Sequence, residues 1–279
     1  MNVRRVGQDD LDDARRLVEQ VVVASAEADG AEPVDEAAQM SLRHRGLAGN
    51  ALWLTEAGFA LLRGSDLDVA VAPDARGGGQ GTALVEAALG AAPNRVTAWS
   101  HADHPAAAAL ARRFGFTATR ALWVMSRDAG SVDVPDVEGV TIRGYRDSDA
   151  DEVIRVNAAA FAHHPEQGSM DAANLAERMA EPWFDPAGLL VADAGDGLLA
   201  FHWTKQHSPE LGEVYVVAVD PAAQGRGLGK AVTAAGLAHL ASRGVRRIIL
   251  YVESDNTPAI ATYSKLGFQH TSTHVQYAR

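Results

Sequence analysis

The stretch that decides the fold is Val217–Lys230, VAVDPAAQGRGLGK, in which a run of β-branched residues gives way to closely spaced glycines. The strand-forming run begins at Val214 and stops at Asp220-Pro221, because proline cannot donate the hydrogen bond that a central strand needs. Apolar residues at helical spacing follow the glycines, at Leu228, Ala231, Val232, Ala235 and Ala238. The sequence therefore predicts a strand, a glycine loop and a helix, in that order.

The same pattern occurs earlier in the chain, at Val69–Thr82, VAVAPDARGGGQGT. The two stretches align without gaps, with Arg76 opposite Gln224. Further along, Gly115-Phe116 matches Gly267-Phe268. The order of these matches predicts a duplication, and each half is predicted to be an α/β fold with a mixed central sheet flanked by helices.

The segment Asp128–Gly139 carries Gly130, Pro135 and Gly139 among acidic residues, which is typical of a linker. We therefore predict an N-terminal domain over residues 1–130, a linker over 131–139 and a C-terminal domain over 140–279.

Composition excludes several functions. The chain of 279 residues carries 25 Lys+Arg against 36 Asp+Glu, a formal net charge of −11, so general binding to nucleic acid or an anionic membrane is not expected. The absence of cysteine excludes disulfides, thiolate metal sites and an acyl-cysteine intermediate. The start of the sequence, Met1–Arg5, leads into an acidic stretch rather than an apolar one, from which we expect no secretion signal and a cytoplasmic location.

A glycine-rich loop at a helix N-terminus favours an anionic ligand, since its backbone N–H groups and the helix dipole both point at the ligand. A Walker loop is excluded because Gln224 stands where its first glycine belongs, and the G-x-G-x-x-G spacing fails as well. The pattern R/Q-x-x-G-x-G/A is satisfied by Gln224, Gly227 and Gly229, and again by Arg76, Gly79 and Gly81. One copy could be only a turn, whereas two copies in the same context favour phosphate binding.

This loop resembles the acyl-CoA pyrophosphate loop of the GNAT (Gcn5-related N-acetyltransferase) superfamily. The resemblance implies two tandem GNAT folds, each with a splayed sheet, and acetyl-CoA as co-substrate. The preceding strand would bind the pantetheine amides through its backbone, although its valines could equally be plain strand core. In the C-terminal half, the implied acetyl-CoA residues are Val217, Ala218, Val219, Gln224, Gly225, Arg226, Gly227, Leu228, Gly229, Lys230, Asn256, Thr257, Pro258, Ala259, Ile260 and Ala261. Their N-terminal counterparts are Val69, Ala70, Val71, Gly77, Gly78, Gly79, Gln80, Gly81 and Thr82.

Four further stretches, 201–205, 211–217, 220–224 and 250–256, resemble the mycothiol synthase family of tandem GNAT enzymes. That resemblance implies acetylation of the cysteinyl amine of cysteinyl-glucosaminyl-inositol, with Glu213 as general base and Tyr263 as general acid. It also implies a substrate pocket lined by Glu36, Glu166, Lys205, Glu213 and Tyr251. Glu36 would reach this pocket from the N-terminal half.

The repeat provides an internal comparison. Glu213 aligns with Ser65, Tyr263 with Ala111 and Tyr251 with Trp99. We therefore expect the C-terminal half to catalyse and the N-terminal half to bind acetyl-CoA without turnover or to be structural.

Several alternatives stay open from the residues alone. Glu213 could be a surface carboxylate, Lys205 an exposed strand-end lysine, and Asp35 a rival to Glu36. Asn256 could cap a helix rather than bind pantetheine, and the base could act directly or through water. Other open possibilities are a GNAT acting on another primary amine and a non-catalytic acyl-CoA sensor.

The histidines give no metal signature. His101 and His104 have helix-ligand spacing, but no HExxH motif or cysteine cluster accompanies them. We expect no metal, and we expect His202 and His207 to line the pocket or lie at the surface. Two GNAT units in one chain also favour a monomer.

Overall fold

The computed structural model describes residues 2–162 and 167–279, which divide into two compact units. The first unit comprises the residues through Trp123 together with Ser272–Arg279, and the second comprises Val124–Thr271. Glu166, predicted to line the substrate pocket, lies outside the described residues.

The elements of the first half of the chain are β1 (Arg4–Arg5), α1 (Leu11–Asp29), α2 (Glu36–Met40), β2 (Asn50–Leu54), β3 (Gly58–Arg63), β4 (Asp66–Val71), α3 (Gln80–Leu89), β5 (Thr97–Ser100), α4 (Pro105–Arg113) and β6 (Thr117–Asp128). Those of the second half are β7 (Thr141–Gly144), α5 (Ala150–Ala160), α6 (Ala172–Met179), β8 (Leu189–Asp193), β9 (Leu198–Gln206), β10 (Leu211–Val219), α7 (Leu228–Ser242), β11 (Arg247–Glu253), α8 (Thr257–Lys265) and β12 (Gln269–Ala278). The predicted order of strand, glycine loop and helix is confirmed in both halves.

The sheet of the first unit has the strand order β1-β2-β3-β4-β5-β12. Its pairs are antiparallel except for β4 and β5, which are parallel and pair at Asp66 and Thr97. Residues of β3 alternate between two apolar clusters: Phe59 packs with residues of α1 and α2, and Ala60 packs with residues of α3. The sheet therefore has helices on both faces, as its period-two pattern requires.

The sheet of the second unit has the order β11-β10-β9-β8-β7, with β10 and β11 parallel and the other pairs antiparallel. Phe201 and Trp203 of β9 pack with residues of α5 and α6, whereas Ala200 packs with Leu228 and Val232 of α7. The predicted mixed sheet flanked by helices is confirmed. In the described part of the chain, no helix is both long enough and apolar enough to cross a bilayer.

The division into units differs from the predicted boundaries at the C terminus, where Ser272–Arg279 belongs to the first unit. The reason is strand pairing, since Val275–Ala278 of β12 pairs antiparallel with Thr97–Ser100 of β5. The internal repeat reveals which segments are alike but not which strands exchange hydrogen bonds, so the sequence does not disclose this assignment.

His202 lies in the core of the second unit, against the expectation that it lines a pocket or the surface. It is 0% exposed, and its Nδ1 lies 3.0 Å from the Val232 carbonyl, to which it donates. A Cβ built on Gly236 would be 2.0 Å from the same nitrogen, so the ring packs directly on the backbone of α7. Burial lowers the pKa of His202 to about 4.

We predict that His202 makes the free energy of unfolding decrease as the pH falls. In the unfolded chain a histidine takes up a proton near its ordinary pKa of 6.5, and the folded residue does so only near 4, so the unfolded state binds more protons in between. At pH 5 this amounts to about 2 kcal/mol of the unfolding free energy. Urea unfolding should show that the free energy of unfolding falls less between pH 7 and pH 5 for His202→Asn than for the unmodified protein. The exposed control His270→Asn should keep the original dependence, and equal losses for His202→Asn and the unmodified protein would contradict this role of His202.

Candidate active site

The site of the second unit begins where two parallel strands part. β10 pairs with β11 from Leu211 with Arg247 to Val214 with Leu250, and within the described residues no later pair joins them. β10 nevertheless stays paired with β9 as far as Val219. The last part of β10 therefore has one hydrogen-bonded edge and one edge open to a ligand, as the splayed sheet of the GNAT resemblance implies.

A β-bulge lies at the point of parting. The register between β10 and β9 shifts between Val214 and Val216, and Tyr215 and Val216 both pack in the same apolar cluster. A bulge bends its strand and interrupts the ladder. This irregularity accounts for the divergence of β10 from β11.

The open edge presents alternate backbone groups. The N–H of Asp220 donates to the Leu199 carbonyl on the β9 side. Since backbone groups alternate in direction along a strand, the N–H groups of Val219 and Val217 point to the opposite, open edge. These two residues are thus placed to exchange hydrogen bonds with an extended ligand.

The glycine loop connects this edge to α7. Gly227 is the N-cap of α7 with φ 82°, a left-handed conformation that favours glycine, and the helix begins at Leu228. A Cβ built on Gly229 would lie 3.5 Å from Cγ2 of Val219, so the first turn of α7 packs against the end of β10. The N–H groups of that turn have no partner within the helix, and together with the helix dipole they suit a diphosphate.

Glu213 lies two residues before the bulge and is 5% exposed, so the interpretation as a surface carboxylate is wrong. Its register partners are Lys205 on β9 and Ile249 on β11. Its Oε2 lies 2.6 Å from Nε2 of His207. The buried carboxylate therefore has a lysine across the strand pair and a histidine at its oxygen.

Lys205 is 9% exposed, so the exposed strand-end interpretation is also wrong. Its Nζ lies 4.8 Å from the ring centroid of Trp183 and 5.4 Å from that of Tyr215. Arg178 donates from Nη1 to the Tyr215 hydroxyl at 3.0 Å. Cation–π contact stabilises a cation that has lost water, so aromatic rings hold Lys205 on the same face of the sheet as Glu213.

Tyr263 lies on α8, where the sequence places it. Its ring makes an edge contact with Phe268 at a centroid distance of 6.0 Å. Burial raises the pKa of Tyr263 to about 12, so its hydroxyl carries a proton at neutral pH. In residues 2–162 and 167–279, no group hydrogen-bonds to that hydroxyl, which leaves its proton available for donation.

The start of α8 is capped by Asn256, whose side-chain oxygen accepts from the N–H of Ala259 at 3.2 Å. The helix-cap interpretation of Asn256 is therefore confirmed, and Thr257–Ala261 forms the first turns of α8. Tyr251 lies on β11 just beyond the last pair with β10 and is 42% exposed.

The first unit has the same loop with a different lining. Gly79 is the N-cap of α3 with φ 85°. Arg76, in the position of Gln224, donates from Nε to the Val71 carbonyl at 3.0 Å. Both its terminal nitrogens bind the Asp29 carboxylate, at 2.8 and 2.7 Å. The arginine therefore occupies a backbone acceptor at the end of β4.

The positions aligned with the proposed proton-transfer residues have other roles in the first unit. Ser65 lies in the turn between β3 and β4, and Ala111 is buried on α4. The guanidinium carbon of Arg120 lies over Trp99, 5.3 Å from the centroid of the Trp99 ring. None of these three side chains is an acid or base suited to acetyl transfer.

The two acidic candidates of the first unit, Asp35 and Glu36, differ in their local contacts. Asp35 caps α2 by accepting from the N–H of Ala38 at 2.6 Å and lies 3.4 Å from Nη2 of Arg63. Glu36 is the first residue of the same helix. The Asp35 carboxylate is thus already used by the fold.

A family model, Acetyltransferase (GNAT) family, matches residues 41–116 and 157–268. A mycothiol acetyltransferase of Nocardioides sp. (strain ATCC BAA-499 / JS614) is 55% identical, covering 96% of this chain and 98% of the relative. Mycothiol acetyltransferases of Actinosynnema mirum and Nocardia farcinica are 48% and 46% identical, each covering 94% of this chain and 94% and 92% of the relatives.

The chain belongs to the GNAT acetyltransferase family, among the mycothiol acetyltransferases. It is an N-acetyltransferase, and GNAT acetyltransferases use acetyl-CoA.

Solved structures agree with the tandem GNAT fold. A GNAT protein from Sphaerobacter thermophilus has a TM-score of 0.69 at 23% identity, covering 100% of this chain and 95% of that one. A tandem GNAT protein from the clavulanic acid biosynthesis pathway has a TM-score of 0.70 at 19% identity, covering 100% and 98%. At these identities the likeness concerns the fold alone.

Three residues of the candidate site have contacts that the sequence does not predict: His207, the partner of the carboxylate, and Arg178 and Trp183, which surround Tyr215. Trp183 stands in a Trp-Phe-Asp-Pro run that could have drawn attention to it. His207 is close to Glu213 in the chain, but the spacing alone does not indicate contact.

The histidines noted for metal spacing have structural partners in the first unit. His104 caps α4 by accepting from the N–H of Ala106, and Nδ1 of His101 lies 3.0 Å from Nδ1 of His274. Among residues 2–162 and 167–279, no group of three or more His, Cys, Asp or Glu is placed to hold a metal ion.

Proposed function

We propose that this enzyme transfers the acetyl group of acetyl-CoA to the cysteinyl amine of cysteinyl-glucosaminyl-inositol, forming mycothiol, and that the second unit carries the reaction. The observation that carries the proposal is a buried carboxylate, Glu213, placed just before β10 leaves β11. Identity of 55% to a mycothiol acetyltransferase over nearly the whole chain supports the substrate.

Acetyl-CoA would lie along the open edge of β10. Its diphosphate suits the loop Gln224–Lys230 at the N-terminus of α7, and its pantetheine amides suit the backbone of Val217–Val219 as an added strand. The first turns of α8, from Asn256 to Ala261, would flank the other side of the pantetheine arm. This placement brings the thioester to the bulge, beside Glu213.

The reaction requires a neutral amine, because a protonated amine has no lone pair with which to attack. Glu213 would take the amine proton, directly or through a water molecule, as nitrogen attacks the thioester carbonyl. The N–H of Val217, the open-edge donor nearer to the bulge, would stabilise the oxygen as it gains charge. When the carbon–sulfur bond breaks, Tyr263 would give its proton to the departing sulfur, since its hydroxyl carries a proton at neutral pH.

The acceptor is rich in hydroxyls and carries one cation, which suits carboxylates and a lysine donor. Lys205 and Glu213 share one face of the sheet, and Tyr251 follows on the neighbouring strand. Glu36 stays a prediction from the resemblance, and the Asp35 side chain caps α2 and pairs with Arg63. Glu166 stays a prediction from the resemblance.

The second unit is favoured over the first for two reasons. Serine and alanine stand in the first unit where Glu213 and Tyr263 stand in the second. In addition, Arg76 already donates to the Val71 carbonyl at the end of β4. A monomeric state and a cytoplasmic location stay predictions from the sequence.

The substrate proposal is tested by release of CoA from acetyl-CoA with a panel of amines. We expect kcat/KM for cysteinyl-glucosaminyl-inositol to exceed that for an aminoglycoside, a polyamine and a peptide N-terminus by at least ~100-fold, since buried polar groups left unpaired penalise the wrong substrate. A comparable value for another amine would contradict the substrate, and acetyl-CoA binding without CoA release for any amine would contradict the enzyme.

Glu213→Gln and Tyr263→Phe test the proton-transfer roles. Each should lower kcat by ~100-fold or more with little change in KM for acetyl-CoA, because general acid–base catalysis contributes about that much. The Glu213→Gln defect should shrink above pH 8, where an α-amino group loses its own proton. The matched controls Glu210→Gln and Tyr277→Phe should leave kcat unchanged, and unchanged kcat in the test variants would refute the roles.

Glycine variants test which loop serves the reaction. Gly227→Ala strains a backbone at φ 82° and should raise KM for acetyl-CoA at least ~10-fold. Gly244→Ala carries the same strain at φ 85° outside the loop, so it should lose similar stability while keeping KM. Gly79→Ala, in the first unit, should leave turnover intact. Loss of turnover with Gly79→Ala and not with Gly227→Ala would reverse the assignment of the units.

A further inference from the structure

His207 stands between the buried carboxylate and solvent. It directly follows β9, and its backbone N–H donates to the Leu211 carbonyl at 2.9 Å, which closes the turn into β10. Its side chain is 30% exposed, against 7% for that of Glu213. The turn therefore fixes a histidine at the outer side of the proposed base.

The contact constrains which atom carries hydrogen. An ionised carboxylate only accepts hydrogen bonds, so at 2.6 Å the His207 Nε2 must carry the proton and donate to Oε2 of Glu213. This holds for the neutral Nε2–H tautomer and for the imidazolium. Oε1 is then the oxygen left to receive a proton from the amine.

The other groups that face Glu213 are a lysine and an apolar side chain. Lys205 on β9 is its register partner and lies against the aromatic rings of Trp183 and Tyr215, and Ile249 on β11 is apolar. A buried carboxylate needs a hydrogen-bond donor to offset the loss of water. The imidazole of His207 supplies such a donor from a backbone position that the turn holds in place.

We propose that His207 is a positioning residue for the reaction: by donating from Nε2 to Oε2, it orients Glu213 so that Oε1 faces the substrate amine. This inference rests on the proposed function of Glu213 as base. Orientation matters because a displacement of about 1 Å at a reacting group can cost ~100-fold in rate.

The test compares His207→Leu with His207→Gln. The leucine variant removes the donor, and we expect kcat to fall by ~10- to 100-fold with KM for acetyl-CoA unchanged. Glutamine offers amide hydrogens at a similar reach and should restore most of kcat. The matched control His239→Leu removes the donor of a second histidine–carboxylate pair, with Asp185, and should leave kcat unchanged.

A double-mutant cycle separates positioning from a general loss of structure. If His207 acts through Glu213, His207→Leu should have no further effect on kcat in the Glu213→Gln background. An equal loss in both backgrounds would overturn the proposal, as would a leucine variant with the original kcat. Full activity of Glu213→Gln alone would instead overturn the role of Glu213 itself, and the positioning role with it.

Discussion

The parting of β10 from β11 after Val214 is the constraint on which the second unit's site depends. A parallel ladder that continued to Val219 would leave no edge for a ligand, and the bulge at Tyr215 prevents it. β10 remains paired with β9 as far as Val219, so the strand stays in the sheet although its other edge is open. The glycine loop then turns the chain so that the first turn of α7 packs against Val219 at the end of that edge.

Burial of charge accompanies this geometry. Glu213 and Lys205 lie opposite each other on β10 and β9, and both are largely removed from water. Isolated buried charges are costly, and here a histidine donor and aromatic rings compensate them. Removal from water also strengthens electrostatic interactions. Glu213 and Lys205 would therefore interact more strongly with charges at the proposed reaction centre than they would in water.

The duplication gives two copies of one scaffold with different chemistry. Both loops place a left-handed glycine at a helix N-cap, and in both units the strand before the loop pairs in parallel for only a short distance. The first unit uses Arg76 and Asp29 in a partly buried ion pair at its loop, and it lacks a carboxylate in the position of Glu213. A shared fold and loop therefore do not fix the side chains beside them, on which the proposed reaction depends.

The sequence by itself determined the repeat, the order of strand, glycine loop and helix, and the placement of Tyr263 on α8, because glycine, proline and apolar spacing act locally. Only the tertiary structure decided that Lys205 and Glu213 are buried, that His202 is core, and that His207 bonds Glu213, since burial and contact depend on strand register and on what packs above each strand. The pairing of β12 with β5 is likewise a choice between partners distant in the chain. Local pattern carries no information on that choice, because the hydrogen-bonding groups of every strand are the same.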